Sequence, residues 1–214
     1  MLQLPKRIFV AGTSTGVGKT IVSAILAEAL HADYWKPVQC GNLDETDTDI
    51  VQSLVSNHVS KFYPESYLLK TASSPHYAAE KENVEISPDR LHVPSSDIRL
   101  LIEGAGGLMV PLSRDYLVID LIKYLEASVI LVSKNYLGSI NHTLLSIEAL
   151  KQRGINVLGV FFNGKNFYDN EEIIHHFAHI TLLGEIDKAN ELNKNFIKTQ
   201  AEKLKLSLLQ HFEL

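Results

Sequence analysis

VAGTSTGVGKT, residues 10–20, is the stretch whose reading decides the fold. It begins at the end of an apolar run, RIFVA (7–11), and leads into a segment where Ile21, Val22, Ala24, Ile25, Leu26, Ala29 and Leu30 recur at helical spacing. A buried strand, a turn of glycines and hydroxyl residues, and a buried helix form a cradle for phosphate. Small residues let backbone N–H groups turn inward, a lysine reaches the outer phosphates, and a Ser or Thr hydroxyl serves Mg²⁺. Gly18, Lys19 and Thr20 supply the end of that pattern, with Gly16 where a flexible backbone is useful. The strict spacing G-x-x-x-x-G-K-[ST] is missed by one residue, because Thr13 occupies the first glycine position and Gly12 precedes it. The flanking strand and helix favour a phosphate loop over an ordinary glycine turn, and the helix N-terminus adds N–H dipoles. The loop points to a nucleoside triphosphate without naming a reaction.

Outward from the loop, strand-like and helix-like segments alternate. DYWKPV (33–38), ended by Pro37, DIRLLIE (97–103), SVILVS (128–133), INVLGVFFN (155–163) and TLLGEI (181–186) read as strands. DIVQSLVSN (49–57), YLVIDLIKYL (116–125), INHTLLSIEALKQRG (140–154) and NEEIIHHFAH (170–179) read as helices, and the C-terminus is helical. Strands that are apolar throughout suit a parallel sheet covered on both faces. The expected fold is a doubly wound, mostly parallel α/β domain with helices on both faces, spanning residues 1–214 as one unit. Ligands in such a sheet sit at the carboxyl ends of the strands.

Composition narrows the function. The chain has 214 residues, a formal net charge of -5, 45% hydrophobic and 21% charged residues. No basic cluster is present, which argues against nucleic acid as a partner. No apolar run approaches the roughly 20 residues a membrane span needs. The first apolar run is only about four residues long, too short for a secretory leader. With Cys40 as the single cysteine, no internal disulfide forms and the cytoplasm is the expected compartment. Cys40 has no His or second Cys beside it in sequence and is not read as a nucleophile.

Several polar residues closely follow strands. Lys36 ends a strand, and position alone leaves a solvated charge and an anion-binding group equally open. Asp44, Glu45, Asp47 and Asp49 precede a helix. One of them is expected as a cap, yet carboxylates near a triphosphate also suit Mg²⁺. Glu103 sits at a strand tip before three glycines in four residues, which reads as the second-strand metal carboxylate of a P-loop enzyme. LGSINHT (137–143) begins a helix, where a plain Ser139 cap and an anion site both fit. His175, His176 and His179 have zinc-like spacing but no completing ligand, and read as a solvated helical face. Ile197, Ala201, Leu204, Leu208 and Phe212 share one face of the last helix. That face is expected to pack on the body of the protein or a second subunit rather than on a membrane.

Together, GTSTGVGKT, WKPVQCG, DTDIVQ, SSPHYAA, EGAGGLMVPL, VILVSKNYLGSINHTLLSIEAL and FFNGKN resemble the dethiobiotin synthetase family, in its order and at similar spacing, from about residue 7 to 186. The resemblance implies ATP-dependent carboxylation of 7,8-diaminopelargonate (7,8-diaminononanoate) by CO₂, followed by ring closure with release of ADP and phosphate. It implies Lys36, Lys19 and Thr15 as catalytic groups, and Thr20, Asp49 and Glu103 as Mg²⁺ ligands. ATP contacts are implied from Gly16, Val17, Gly18, Ile21, Gly104, Ala105, Gly106, Asn163, Gly164, Asp187, Lys188 and Ala189. Lys36, Cys40 and the Gly138, Ser139, Ile140, Asn141 turn are implied to bind the substrate, with that turn coming from the other subunit of a homodimer. The rival reading is a P-loop switch ATPase of the partitioning or septum-placing kind. Those commonly carry an additional lysine early in the loop, and none lies between Gly12 and Gly18.

Overall fold

The computed structural model describes residues 2–91, 93–164 and 169–213. Its strands are β1 (Leu2–Gln3), β2 (Arg7–Gly12), β3 (Asp33–Trp35), β4 (Val38–Cys40), β5 (Phe62–Tyr63), β6 (Tyr67–Leu69), β7 (Leu100–Gly107), β8 (Ser128–Lys134), β9 (Val157–Asn163), β10 (Leu182–Ile186) and β11 (Phe212–Glu213). Its helices are α1 (Lys19–Leu30), α2 (Asp47–Leu54), α3 (Pro75–Lys81), α4 (Val118–Tyr124), α5 (Ser139–Gln152), α6 (Asn170–Ala178) and α7 (Lys194–His211).

Seven strands form one sheet in the order β10-β9-β8-β2-β7-β3-β5, and each neighbouring pair is parallel. The alternation along β2 shows how both faces are covered. Ile8 and Val10 join a core with residues of α1, α2 and α7, whereas Phe9 and Ala11 join a core with residues of α3 to α6. A strand buried on both faces gains nothing from polar residues on either, so the apolar runs of the sequence follow from the layering. Helix α7 closes the first of these cores. Ile197, Ala201, Leu204, Leu208 and Phe212 are all at most 4% exposed, so the apolar face of α7 packs on the body of the protein. Among the described residues no helix is long and apolar enough to cross a membrane.

Two expected strands differ in ways that shape the site. DYWKPV is not one strand. Pro37 has no N–H to give to a ladder, and its carbonyl accepts instead from the amides of Ser66 and Tyr67, both at 3.0 Å. The chain leaves the main sheet after Trp35 and re-forms as β4, paired with β6 in a separate two-stranded sheet. Lys36 therefore stands at the break between two sheets. The second difference is that β7 does not stop at Glu103 but continues through the glycines to Gly107, with a register shift against β2 between Val10 and Gly12.

The chain moves from β2 outward to β3, returns beside β2 as β7, and then crosses to β8 on the opposite side. A crevice opens at the carboxyl ends where the direction of winding reverses. Both the phosphate loop and Glu103 lie there.

Candidate active site

The loop after β2 is anchored where Thr13 N–H donates to Val132 O of β8 at 3.0 Å. Gly12 does the work of the displaced first glycine: a Cβ there would lie 2.8 Å from Ser14 O and 2.9 Å from a Val17 methyl. Gly18 has φ 99° and forms the N-cap of α1 with no side-chain cap, and a Cβ on it would collide with the Asn163 amide. The first N–H groups of α1 are thus left to an anionic ligand, which the helix dipole also favours. Lys19 folds back over the loop and donates to Ser14 O at 3.3 Å.

Four elements converge beside this loop. Thr20 Oγ1, from α1, lies 3.0 Å from Glu103 Oε1 and 3.1 Å from Asp47 Oδ1. Lys36 Nζ pairs with Asp47 and with Glu103 Oε1, the latter at 3.3 Å. Tyr34 Oη donates to Glu103 Oε2 at 3.0 Å. Glu103, Lys36 and Lys19 are 1%, 5% and 7% exposed. Two ammonium groups and Glu103 thus share a floor largely removed from water, with the partly exposed Asp47 at its edge. Burial of such charges is costly even when they pair, so the cluster is better understood as chemistry than as stabilisation. Burial pulls the Lys36 ammonium down, but Glu103 and Asp47 outweigh it, leaving the pKa raised. For Lys19 burial dominates and, with the nearby Lys36 charge, outweighs the pull of Glu103 and Asp47, so its pKa is lowered. Burial and the Glu103 charge push the Tyr34 phenol well above its usual value, so it remains a donor.

The geometry sets Asp47 apart from Asp49. Helix α2 opens with a capping box in which Thr46 accepts from Asp49 N–H and the Asp49 carboxylate accepts from Thr46 N–H at 2.8 Å. Residues two apart on a helix point about 200° away from each other. With Asp49 turned back to its own cap and exposed to solvent, Asp47 is the carboxylate that reaches Thr20 and Lys36. Thr20, Asp47 and Glu103 form an oxygen-only donor set of one hydroxyl and two carboxylates. Such a set suits a small hard cation that takes its remaining ligands from phosphate and water.

Thr15, Gly16, Gly18, Lys19, Thr20, Ile21, Lys36, Cys40, Glu103, Ala105 and Gly106 line one cleft of about 720 Å³. Gly104 is pressed against Phe9, with space for a Cβ only 2.7 Å from the ring, and Val17 is buried at 2% exposure. Neither lines the cleft. The far wall consists of Ala72, Ser73, Ser74 and Pro75 with Gln39 and Asn42. None of these was singled out as an individual contact from sequence, although SSPHYAA covers Ser73, Ser74 and Pro75 and WKPVQCG covers Gln39. Burial raises the Cys40 thiol to about 11, despite the opposing Lys36 charge. It lines the cleft as a neutral group, not a thiolate.

Asn163 sits over the loop, donating from Nδ2 to Val17 O at 3.0 Å, with Gly164 following it. Asp187 begins where β10 ends beside Asn163, but its carboxylate is taken by Gln200 and Lys203 of α7. Asp187, Lys188 and Ala189 do not line the cleft. Gly138, Ser139, Ile140 and Asn141 also stand outside it, with Ser139 buried and Asn141 exposed. His175 donates from Nδ1 to Ile180 O at 2.7 Å, and no cluster of three His, Cys, Asp or Glu suited to a metal occurs among the described residues. Lys165 and Asn166 of FFNGKN lie outside the described residues.

Comparison with known proteins gives this arrangement a family. A family model described as an AAA domain matches residues 6–195. The ATP-dependent dethiobiotin synthetase of Christiangramia forsetii is 46% identical over 207 residues, covering 97% of this chain and 100% of the relative. That of Rhodopseudomonas palustris strain TIE-1 is 48% identical over 187 residues, covering 87% and 88%. The chain belongs to the dethiobiotin synthetase family. Solved structures share the dethiobiotin synthetase scaffold more distantly. The cell division ATPase MinD of Pyrococcus furiosus superposes with a TM-score of 0.57 at 14% identity, covering 96% of this chain and 100% of that one. A putative plasmid partition protein of Borrelia burgdorferi gives 0.59 at 12% identity, covering 97% and 99%. These likenesses extend to the P-loop α/β fold alone. They explain why a switch ATPase was a credible rival on fold, and the far closer synthetases set that rival aside.

Proposed function

We propose that residues 1–214 act as a single catalytic domain that makes dethiobiotin from 7,8-diaminononanoate, CO₂ and ATP. The observation that carries the reading is the convergence of Lys19, Thr20, Lys36, Asp47 and Glu103 beside a phosphate loop, in a chain of this family. One amine of the diamine takes up CO₂ as a carbamate. The carbamate oxygen attacks the γ-phosphate and displaces ADP. The second amine then attacks the resulting carbonyl, closes the five-membered urea ring and expels phosphate. Negative charge accumulates between the carbamate and the γ-phosphate, and a fixed ammonium there stabilises the transition state more than the ground state.

Lys36 suits that position because it stands at the gap between two sheets, held by carboxylates rather than by solvent. Lys19 and the loop amides, with Thr15, grip the β and γ oxygens. Ile21, Ala105 and Gly106 close around the nucleotide, and Asn163 with Gly164 meets the adenine. Thr20, Asp47 and Glu103 are the residues fitted to hold Mg²⁺, whose chemistry when bound is to neutralise phosphate charge. The chain's own contribution is placement: a dry floor, a rigid ammonium, and a wall of Ser73, Ser74 and Cys40 for the diamine.

The proposed assembly is a cytoplasmic homodimer in which the Gly138–Asn141 turn of one subunit completes the other's cleft by binding the substrate carboxylate. Two features support it. That turn does not reach the cleft of its own chain, and Leu137 before it and Leu145 on the helix it opens are 103% and 60% exposed, the latter sharing a surface cavity with Met109, itself 55% exposed.

Phosphate release tests the reaction. It should be slow with Mg²⁺-ATP alone and rise sharply only when the diamine and bicarbonate are both added. Release indifferent to the diamine would reject this function.

A further inference from the structure

The metal-facing carboxylate has an unusual restraint, and the reading that follows rests on the cation site proposed above. Glu103 presents its two oxygens to different partners. Oε1 lies 3.0 Å from Thr20 Oγ1 and 3.3 Å from Lys36 Nζ, while Oε2 accepts from Tyr34 Oη at 3.0 Å. Tyr34 cannot easily give way. It is 0% exposed, lies in the middle of a three-residue strand between β7 and β5, and packs within the α1-side core with its ring centroid 6.4 Å from that of Phe62. Nor does solvent reach Glu103, which is 1% exposed. A carboxylate pinned this way offers one oxygen to a cation.

We infer that Tyr34 is a positioning residue that holds Glu103 as a one-oxygen ligand and thereby sets the preference of the site for Mg²⁺ over larger divalent cations. Mg²⁺ takes single oxygens in a tight octahedron, whereas Ca²⁺ takes longer bonds and readily accepts both oxygens of a carboxylate. Releasing Oε2 would let Glu103 rotate into the two-oxygen mode and favour the larger ion. Partners one step removed from a metal commonly change affinity by about 10- to 100-fold when removed. A tyrosine that only satisfied a buried carboxylate would alter stability without altering which cation the site takes.

Tyr34→Phe keeps the ring and removes the donor. Calorimetric binding of ADP is to be measured for the parent and the variant in Mg²⁺, in Ca²⁺ and in chelator, with the thermal midpoint in chelator recorded for each. The expected result is that Mg²⁺-supported ADP affinity falls about 10-fold while Ca²⁺-supported affinity holds or rises, so that the ratio between the ions collapses. A folded variant with the parent's ratio overturns the inference and leaves the cation site standing. If the parent binds ADP equally well in chelator, the cation site itself is wrong and the inference falls with it. Should Tyr34→Phe not fold, infrared difference spectra of the parent with Mg²⁺-ADP, using Glu103→Gln as blank, read the carboxylate directly. A one-oxygen signature supports the role of Tyr34, and a two-oxygen signature overturns it.

Discussion

In the proposed mechanism Lys36 and the two carboxylates beside it carry most of the chemistry, and each role makes a separable claim. Lys36→Gln removes a charge needed chiefly in the transition state, so kcat should fall about 10²- to 10³-fold with far less effect on substrate affinity. Steady-state kinetics on both substrates check this, and unchanged turnover would remove Lys36 from the mechanism. Asp47→Asn and Asp49→Ala form a sharper pair. The first should raise the Mg²⁺ concentration needed for half-maximal activity, because Asp47 stands beside Thr20 and Lys36. The second should lower the thermal midpoint by loosening the α2 cap, with the Mg²⁺ titration unmoved. The reverse outcome would return the metal role to Asp49. Sequence alone separated these two aspartates poorly for a physical reason. Either residue type suits the first turn of a helix, and only the capping box reveals which one is turned away. Tyr34 was harder still to see, because a tyrosine in an apolar strand reads as core until its hydroxyl is found against Glu103.

At the scale of elements, the order of strands and helices was readable because buried parallel strands leave long apolar runs. Pro37 marks the end of the strand that Lys36 closes, but that the chain re-forms beyond it as β4 in a second sheet was not legible, because that sheet pairs with a distant segment. The segments β5, β6 and α3 were also missed, being short and mixed in character. A pH effect belongs at this scale, where α6 meets β10. Burial and a hydrogen bond with Glu185 raise Glu171 from 4.5 to about 7, against the opposing bond from Asn135. The folded protein then holds this proton more tightly than the unfolded chain. The stabilisation is fully present below about pH 4.5 and is lost as pH rises through about 7. Denaturant midpoints measured across that window should fall with rising pH from this group, and Glu171→Gln should flatten that component. A slope unchanged by the substitution would show that another group is responsible.

The whole molecule adds the question of what completes the cleft. If the Gly138–Asn141 turn acts across a dimer, Lys36→Gln and Asn141→Ala chains, each inactive alone, should complement when refolded together. Random pairing leaves half the dimers mixed, each with one intact composite site, for about a quarter of parent activity. No recovery, with a dimer present by light scattering, would mean the turn serves its own chain or none. The shared fold of switch ATPases and this synthetase also shows how little a P-loop sheet says of function. The specific reading came from the family motifs of the sequence and from synthetase relatives 46% and 48% identical, and Lys36, Asp47 and Glu103 meeting at the crevice fit it. The most direct measurement is therefore incorporation of labelled bicarbonate into acid-stable product, with Mg²⁺-ATP and 7,8-diaminononanoate each omitted in turn. The account predicts label fixed only when all three are present, and far less of it with Lys36→Gln. ATP hydrolysis without fixation would contradict it.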